Sequence, residues 1–164
     1  MFQRKVLPML PLAIPNEEVV AIEHVILDFN GTLAVDGKLI SGVVPRLEAL
    51  SSLVTVHVIT ADTNASARSE LASLPCTLKI IGRDKQDQAK LEYARSLGLG
   101  RVLAVGNGRN DGLLLKNAAL GICLIQQEGA AVASMLAADI VCVDIKDALD
   151  LLLQPHRIVA TMRN

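Results

Sequence analysis

The chain has 164 residues, of which 51% are hydrophobic, 20% charged and 2% aromatic, and its formal net charge is −1. The nearly balanced charge gives no excess of basic residues for binding nucleic acid or an anionic membrane. The low aromatic content argues against a protein that stacks its side chains on nucleic-acid bases. The length suits one domain with a continuous core, so residues 1–164 are expected to form a single domain.

The N-terminal stretch MFQRKVLPMLPLAIP combines a basic start with three prolines and only short apolar runs. This pattern argues against both a spanning helix and a signal peptide, and no later run reaches the length of a membrane span. The three cysteines, Cys76, Cys123 and Cys142, lack CxxC spacing and lie in or beside apolar runs. The sequence therefore predicts small buried thiols in a cytoplasmic protein.

Short β-branched runs then alternate with longer helix-like segments along the chain. Strands without polar alternation are typical of a parallel sheet that is buried on both faces. Repeated strand–helix alternation predicts an α/β fold, with a doubly wound, mainly parallel sheet and helices on both faces. The predicted strands cover 24–29, 54–60, 78–81, 102–106, 121–125 and 139–143. The predicted helices lie near 41–52, 64–74, 86–97, 111–119, 129–137 and 146–153.

The first predicted strand ends in a carboxylate, within the sequence VILDFNGT. In doubly wound sheets ligands bind at the carboxyl ends of the strands, so Asp28 is a candidate for chemistry, although a lone carboxylate there could simply cap the turn. Gly31 permits a tight turn, and Thr32 can hydrogen-bond a phosphoryl oxygen or the Asp28 carboxylate. Asp28 and the backbone carbonyl of Asn30 are hard oxygen ligands, which favours Mg²⁺.

Two further clusters follow later strands. Thr60 ends the second strand with Asp62 close behind it, and Lys85 and Lys90 lie just before and within the next helix. Taken alone, such residues are ordinary strand-end and surface groups. The three histidines lack metal-ligand spacing and are interpreted as structural: His24, His57 and His156.

The stretch GNGRNDG at 106–112 follows a predicted strand and precedes a helix. Its third glycine is one place too late for the dinucleotide fingerprint GxGxxG, and it belongs to the fourth strand unit, so a dinucleotide-dependent oxidoreductase is not favoured. An Asn-Asp pair at a helix start suits a metal ion, while capping by Asn110 or Asp111 is the alternative.

Together the motifs resemble those of the haloacid dehalogenase (HAD) superfamily of phosphotransferases. DFNGT resembles the first motif, DxDGT, Thr60 matches the second, a lysine within 83–90 matches the third, and GNGRND resembles the fourth, commonly GDGxND. The likeness is strongest to the phosphorylation domain of P-type ATPases and to small stand-alone proteins described as soluble P-type ATPase-like. It covers nearly the whole chain and implies a HAD-like Rossmannoid fold.

The resemblance implies a role for each matching residue. Asp28 would be the nucleophile that takes the phosphoryl group as an aspartyl phosphate. Thr60 would hydrogen-bond a phosphoryl oxygen, and a lysine, Lys90 in preference to Lys85, would neutralise the developing charge. The implied cofactor is Mg²⁺, bound by Asp28, Asn30, Asn107 and Asp111. The remaining motif residues expected to line the cofactor site are Gly31, Thr32, Gly108 and Asn110.

Two amides depart from the family pattern. Asn30 stands where phosphatases usually carry an aspartate that acts as general acid and base, and losing such a group typically costs ~10²–10⁴-fold in rate. That deficit is severe for an alkoxide leaving group and mild for ADP or an acyl carboxylate. Asn107 replaces a metal-binding aspartate, so metal affinity should fall and Asp111 should carry most of the fixed charge besides Asp28.

No cap domain is expected. About 30 residues separate Asp28 from Thr60, and a similar number separate Thr60 from Lys90, which one helix and one strand would fill. An open site either serves a bulky substrate or is covered by a neighbouring subunit. The mean hydropathy of +0.42 makes a homo-oligomer a reasonable hypothesis.

Two functions fit these patterns. The first is a Mg²⁺-dependent phosphohydrolase or phosphotransferase that works through phospho-Asp28 on a small phosphorylated substrate or a phosphoprotein. Its donors would have good leaving groups, as ATP, acyl phosphates and aryl phosphates do. The alternative is a catalytically impaired HAD-fold protein that binds phosphate or a partner. The two amides favour the alternative, whereas the presence of the other motif residues favours the enzyme.

Overall fold

A computed structural model describes residues 8–61 and 65–164. The strands are β1 (Leu10–Leu12), β2 (Val20–Ile22), β3 (His24–Asp28), β4 (Ala34–Val35), β5 (Lys38–Leu39), β6 (Thr55–Thr60), β7 (Thr77–Ile80), β8 (Val102–Gly106), β9 (Leu120–Leu124) and β10 (Ile140–Cys142). The helices are α1 (Val43–Ser51), α2 (Ser66–Leu71), α3 (Gln86–Leu97), α4 (Gly112–Asn117), α5 (Val132–Ala137), α6 (Ile145–Leu153) and α7 (His156–Met162). Short 3₁₀ turns cover Leu99–Arg101 and Arg109–Asp111.

The central sheet has six strands in the order β10-β9-β8-β3-β6-β7, and every pair in it is parallel. After β3 the chain moves outward through β6 and β7, then returns to the other side of β3 to form β8. The strand order therefore reverses between β3 and β8, where a doubly wound sheet opens its binding crevice. The predicted fold class is confirmed, and each predicted strand lies within one residue of an observed one.

The alternating side chains of the sheet build two apolar layers. Val25 and Leu27 of β3 join one buried cluster with residues of α1 and α6, while Ile26 joins a second cluster with residues of α3 and α4. Both faces are thus covered by helices, which is why the strands are apolar throughout and not alternating. This packing fixes the end of β3, and with it the direction in which Asp28 points.

Two small antiparallel hairpins were not predicted from the sequence. One pairs β1 with β2, and the other pairs β4 with β5 directly after the first motif. The second hairpin turns at Asp36 and Gly37, which both have positive φ, and an Asp-Gly pair is a strong signal for such a turn. The interval from 28 to 60 therefore holds a hairpin besides α1 and β6, yet among the described residues it holds no cap domain.

The histidines within the strands form a hydrogen-bonded chain. His24 Nδ1 lies 3.0 Å from His57 Nε2, and His57 Nδ1 lies 2.9 Å from the Tyr93 hydroxyl. Burial, aided by the neighbouring His24, lowers the pKa of His57 to about 4, so this imidazole is neutral at neutral pH. The structural interpretation suits this pair, whereas His156 is exposed at the start of α7.

The cysteine prediction was only partly right. All three thiols are free, but only Cys123 is buried, and Cys76 and Cys142 are half-buried. Burial raises the pKa of each of these thiols, so they are less reactive than an exposed thiol at neutral pH.

None of the helices in the described ranges is long and apolar enough to cross a membrane.

Candidate active site

A buried lysine joins two carboxylates at the end of the central strand. Lys90 Nζ donates to Asp28 Oδ1 at 2.7 Å and to Asp111 Oδ1 at 2.6 Å. The side chains of Lys90 and Asp111 are 1% exposed, whereas that of Asp28 is 11% exposed. Asp28 is therefore the member of the three that a ligand can reach from solvent.

The position of Lys90 follows from the helix that carries it. The buried face of α3 consists of Lys90, Leu91 and Ala94. A lysine therefore lies at a position of the helix where the amphipathic pattern predicts an apolar residue. Lys85 precedes the same helix in a left-handed conformation and is exposed. Of the two lysines considered from the sequence, the structure brings Lys90 to the carboxylates and leaves Lys85 in solvent.

Burial and the neighbouring charges shift the ionisation of Asp28 and of Lys90. Burial raises the pKa of Asp28, the carboxylate of Asp111 raises it further, Lys90 opposes both, and the result is a pKa of about 7. Burial alone would lower the pKa of Lys90, but the two carboxylates outweigh it and the net shift is upward. Lys90 therefore remains a cation, and the site holds one more negative than positive charge when both carboxylates are ionised.

Asp111 is fully engaged by protein donors. Its Oδ1 accepts from Lys90, and its Oδ2 accepts the backbone N–H groups of Asn107 and Gly108, both at 2.9 Å. It can come this close to β8 because residue 106 is glycine, where any side chain would overlap Asp111. Asp111 therefore caps the 3₁₀ turn at Arg109–Asp111 through the Gly108 N–H, but its side chain makes no capping hydrogen bond to α4, so the helix capping considered from the sequence is not observed.

The first motif forms a tight turn after Asp28. The backbone carbonyl of Phe29 accepts from the N–H groups of Thr32, Leu33 and Ala34, at 2.9–3.2 Å. Gly31 has φ of +80°, and a methyl group there would overlap Glu128 Oε2 and lie 2.7 Å from Asn107 Oδ1. Glycine is therefore required at position 31 both by the backbone and by the side chains that crowd it.

Thr32 is fully buried in this turn. Its hydroxyl has no hydrogen-bond partner within residues 8–61 and 65–164, so the contact with the Asp28 carboxylate considered from the sequence is not made there. Thr60 ends β6 beside β3 and is buried. Asp62, which the sequence groups with Thr60, lies outside the described residues.

The two asparagines of the fourth motif point to different parts of the site. Asn107 is buried and donates from Nδ2 to the Gly129 carbonyl at 3.0 Å, while Ala131 N–H donates to the Asn107 carbonyl at 2.9 Å. Asn110 turns the other way and donates to Gln86 Oε1 at 2.7 Å, at the start of α3. Asn107 therefore faces the first motif, and Asn110 joins the third and fourth motifs on the side of α3.

The loop that follows β9 lies at the candidate site, although the sequence did not predict a role for it. Gln126 Nε2 donates to the carbonyls of Gly31 and Thr32 at 3.2 and 3.0 Å, and its Oε1 accepts from Ile145 N–H at 2.8 Å. Glu128 extends over Gly31 beside Asn107. The signal was available, because these residues follow a predicted parallel strand at the same edge of the sheet.

The donor set suits a hard divalent cation. Asp28 presents a reachable carboxylate, Asn107 presents an amide oxygen toward Gly31, and Asn30 follows Asp28 in the turn of the first motif. Oxygen donors of this kind are what Mg²⁺ binds in proteins. Asp111, assigned to the metal from the sequence, has both oxygens engaged already, which fits a residue behind the ligands better than a direct ligand.

Two archaeal proteins are similar to this chain in sequence. The uncharacterized protein MJ0073 of Methanocaldococcus jannaschii is 58% identical over 64 residues, which are 39% of this chain and 69% of that protein. The chain belongs to the same family as MJ0073. The uncharacterized protein MJ0072 of the same organism is 42% identical over 40 residues, 24% of this chain and 91% of that protein. No family model matches the chain.

The fold is similar to that of several solved HAD-superfamily phosphatases. The 3-deoxy-D-manno-octulosonate 8-phosphate phosphatase of Moraxella catarrhalis, in complex with magnesium, phosphate and KDO, superposes with a TM-score of 0.68 at 18% identity, over 85% of this chain and 92% of its own. A putative HAD family hydrolase from Streptomyces avermitilis gives 0.67 at 22% identity, over 82% and 87%. The cobalt-bound phosphatase of Haemophilus influenzae gives 0.66 at 15% identity, over 81% and 88%.

Proposed function

We propose that the protein is a Mg²⁺-dependent phosphohydrolase or phosphotransferase that works through an aspartyl phosphate on Asp28. The observation that carries the proposal is the placement of Lys90 between the reachable Asp28 and the enclosed Asp111, at the point where strand order reverses. The phosphatase fold of the structural neighbours supports the same chemistry. The substrate would be a small phosphorylated molecule or a phosphoprotein.

In the first step, a carboxylate oxygen of Asp28 attacks phosphorus. The bond from phosphorus to the leaving group breaks, and the leaving group departs with the electron pair. Lys90 neutralises the charge that develops on the phosphoryl oxygens, and Thr60, at the end of the neighbouring strand, donates a hydrogen bond to one of them. Asp111 acts through Lys90, which it holds at 2.6 Å.

In the second step, a water oxygen bonds to phosphorus as the bond between phosphorus and the Asp28 oxygen breaks, which restores the carboxylate and releases phosphate, while the protons of the water pass to phosphate and solvent. Asn30 is exposed in the turn after Asp28, and its amide cannot take a proton from the water. The same amide cannot protonate a departing alkoxide. The protein should therefore accept phosphoryl groups from good leaving groups and release them slowly.

The metal would be held by Asp28, the Asn30 carbonyl and Asn107. When bound, Mg²⁺ supplies positive charge that offsets the phosphoryl oxygens and lowers the cost of ionising Asp28. Because burial and Asp111 raise the pKa of Asp28, the carboxylate needs such support to remain ionised near neutral pH. The structural neighbours from Moraxella catarrhalis and Haemophilus influenzae are described with magnesium and cobalt, respectively.

A panel of phosphoryl donors tests this proposal. Acetyl phosphate, p-nitrophenyl phosphate and ATP should be consumed in a Mg²⁺-dependent manner, and an alkyl phosphate should react at least about 100-fold more slowly. The measurement is phosphate release, with chelator as the control for the metal. Equal rates for aryl and alkyl esters would contradict the assigned role of Asn30, and no Mg²⁺-dependent reaction with any donor would favour the impaired binding protein.

A further inference from the structure

The loop after β9 is fastened to both the first and the fourth motif. Gln126 binds the carbonyls of Gly31 and Thr32, and Asn107 binds the loop at Gly129 and Ala131. The side chain of Gln126 binds backbone carbonyls of the first motif. Asn107 binds the loop once through its side chain and once through its backbone carbonyl. The loop therefore has a defined position over the candidate site.

Glu128 lies between these two attachments. Its Oε2 and the side chain of Asn107 both crowd the point where a Cβ of residue 31 would stand, and the absence of that atom makes room for them. Glu128 is an exposed residue, so a ligand can reach it from solvent. It is thereby placed next to the amide that occupies the position of the fourth motif's usual metal-binding aspartate.

The other charged groups of the site are compatible with the Glu128 carboxylate as a further anionic ligand of a metal ion. Lys90 is shared by Asp28 and Asp111, and both oxygens of Asp111 already accept from protein donors. Since Asn107 is neutral, Asp28 would be the single anionic ligand among the residues that the structure describes at this site, without a contribution from the loop. A divalent cation bound mainly by amide and carbonyl oxygens is held weakly, because affinity rises with the number of charged ligands.

Asn107 and Glu128 also suit each other. The Asn107 amide donates to the Gly129 carbonyl and so holds the loop that carries Glu128. An aspartate at 107 could not donate this hydrogen bond, and its charge would repel Glu128 at close range. An amide at 107 and a carboxylate at 128 are therefore compatible, whereas carboxylates at both positions oppose each other.

On the basis of the proposed function, we infer that Glu128 supplies the metal site with the carboxylate that position 107 lacks. Glu128 would act as a ligand of Mg²⁺, directly or through a bound water. Asn107 would contribute its amide oxygen and keep the loop in place. The fourth motif and the loop after β9 would thus share the task that one aspartate performs in the family pattern.

The test is the affinity of the full chain for Mg²⁺, measured by titration calorimetry without any phosphoryl donor. Glu128→Gln removes the charge and keeps the shape, so it should weaken binding by about 10-fold or more. Glu48→Gln, at an exposed position of α1, is the matched control and should bind as the wild type does. In the background of Asn107→Asp, Glu128→Gln should have a clearly smaller effect, because the charge is restored nearby.

The outcomes separate this inference from the function on which it rests. Affinity of Glu128→Gln within 2-fold of the control variant would overturn the role of Glu128 and leave the proposed function intact. An equal loss in the wild-type and Asn107→Asp backgrounds would also overturn it, since compensation would then be absent. No Mg²⁺ binding by the wild-type chain would overturn both. The unfolding midpoint without metal should be unchanged by Glu128→Gln, which excludes a purely structural effect.

Discussion

Replacing Lys90 with methionine is expected to lower the free energy of unfolding by about 3–5 kcal/mol at pH 7. Methionine fills a similar volume without a charge, so the main change is the loss of the cation that Asp28 and Asp111 share. The two carboxylates would then lie close together in a buried site without a counter-ion. Urea unfolding of the two chains at several pH values measures the effect.

The loss of stability caused by Lys90→Met should become smaller as the pH falls. Without Lys90, burial and the carboxylate of Asp111 raise the pKa of Asp28 further, so the folded variant binds a proton that the unfolded chain binds only at lower pH. Stability of the variant therefore rises, relative to the wild type, as the pH falls from 7 toward the unfolded carboxyl pKa. Lys85→Met, at an exposed position, is the matched control and should change stability by less than about 0.5 kcal/mol. Equal effects of the two substitutions would contradict the assignment.

Asn30→Asp is expected to raise turnover of alkyl phosphate esters by at least about 100-fold, within the range of a general acid–base. The new carboxyl group would protonate the leaving oxygen in the first step and take a proton from water in the second. Because residue 30 is exposed, the substitution should cost little stability. The measurements are steady-state phosphate release and the decay of the phosphorylated protein.

The increase in turnover caused by Asn30→Asp should depend on the leaving group of the phosphoryl donor. Alkyl esters should benefit most and acetyl phosphate least, since an acyl carboxylate departs without protonation. Asn117→Asp, an exposed amide near the end of α4, is the control for an added charge. An increase of the same size for all donors, or none for any, would show that position 30 does not carry the acid–base role.

The fold was predictable because its signals are local. Val25, Ile26 and Leu27 form one run of apolar residues, and such runs repeat between helix-like segments, which is typical of a sheet covered on both faces. The periodicity did not predict α7, nor four short strands, which are β1 and β2 of three residues and β4 and β5 of two. Runs this short carry too few residues for a period of two to be recognised.

The site was predictable only in part, because its contacts join distant segments. The strand-end rule identified Asp28 and Asp111, but spacing alone gave no geometric reason to prefer Lys90 to Lys85. That choice depends on which face of α3 packs against the sheet. The place of Glu128 depends on the backbone of Gly31, 97 positions earlier in the chain, and no local pattern reports such proximity.

The most direct measurement is a phosphorylation trap located by peptide mapping. The protein is incubated with acetyl phosphate and Mg²⁺, quenched in acid and digested, and the phosphorylated peptide is identified by mass spectrometry. The account predicts an acid-stable, hydroxylamine-sensitive phosphoryl group on Asp28, longer-lived than in Asn30→Asp and absent from Asp28→Asn. A phosphoryl group on another residue, or equal labelling of Asp28→Asn, would contradict the claim that Asp28 is the nucleophile.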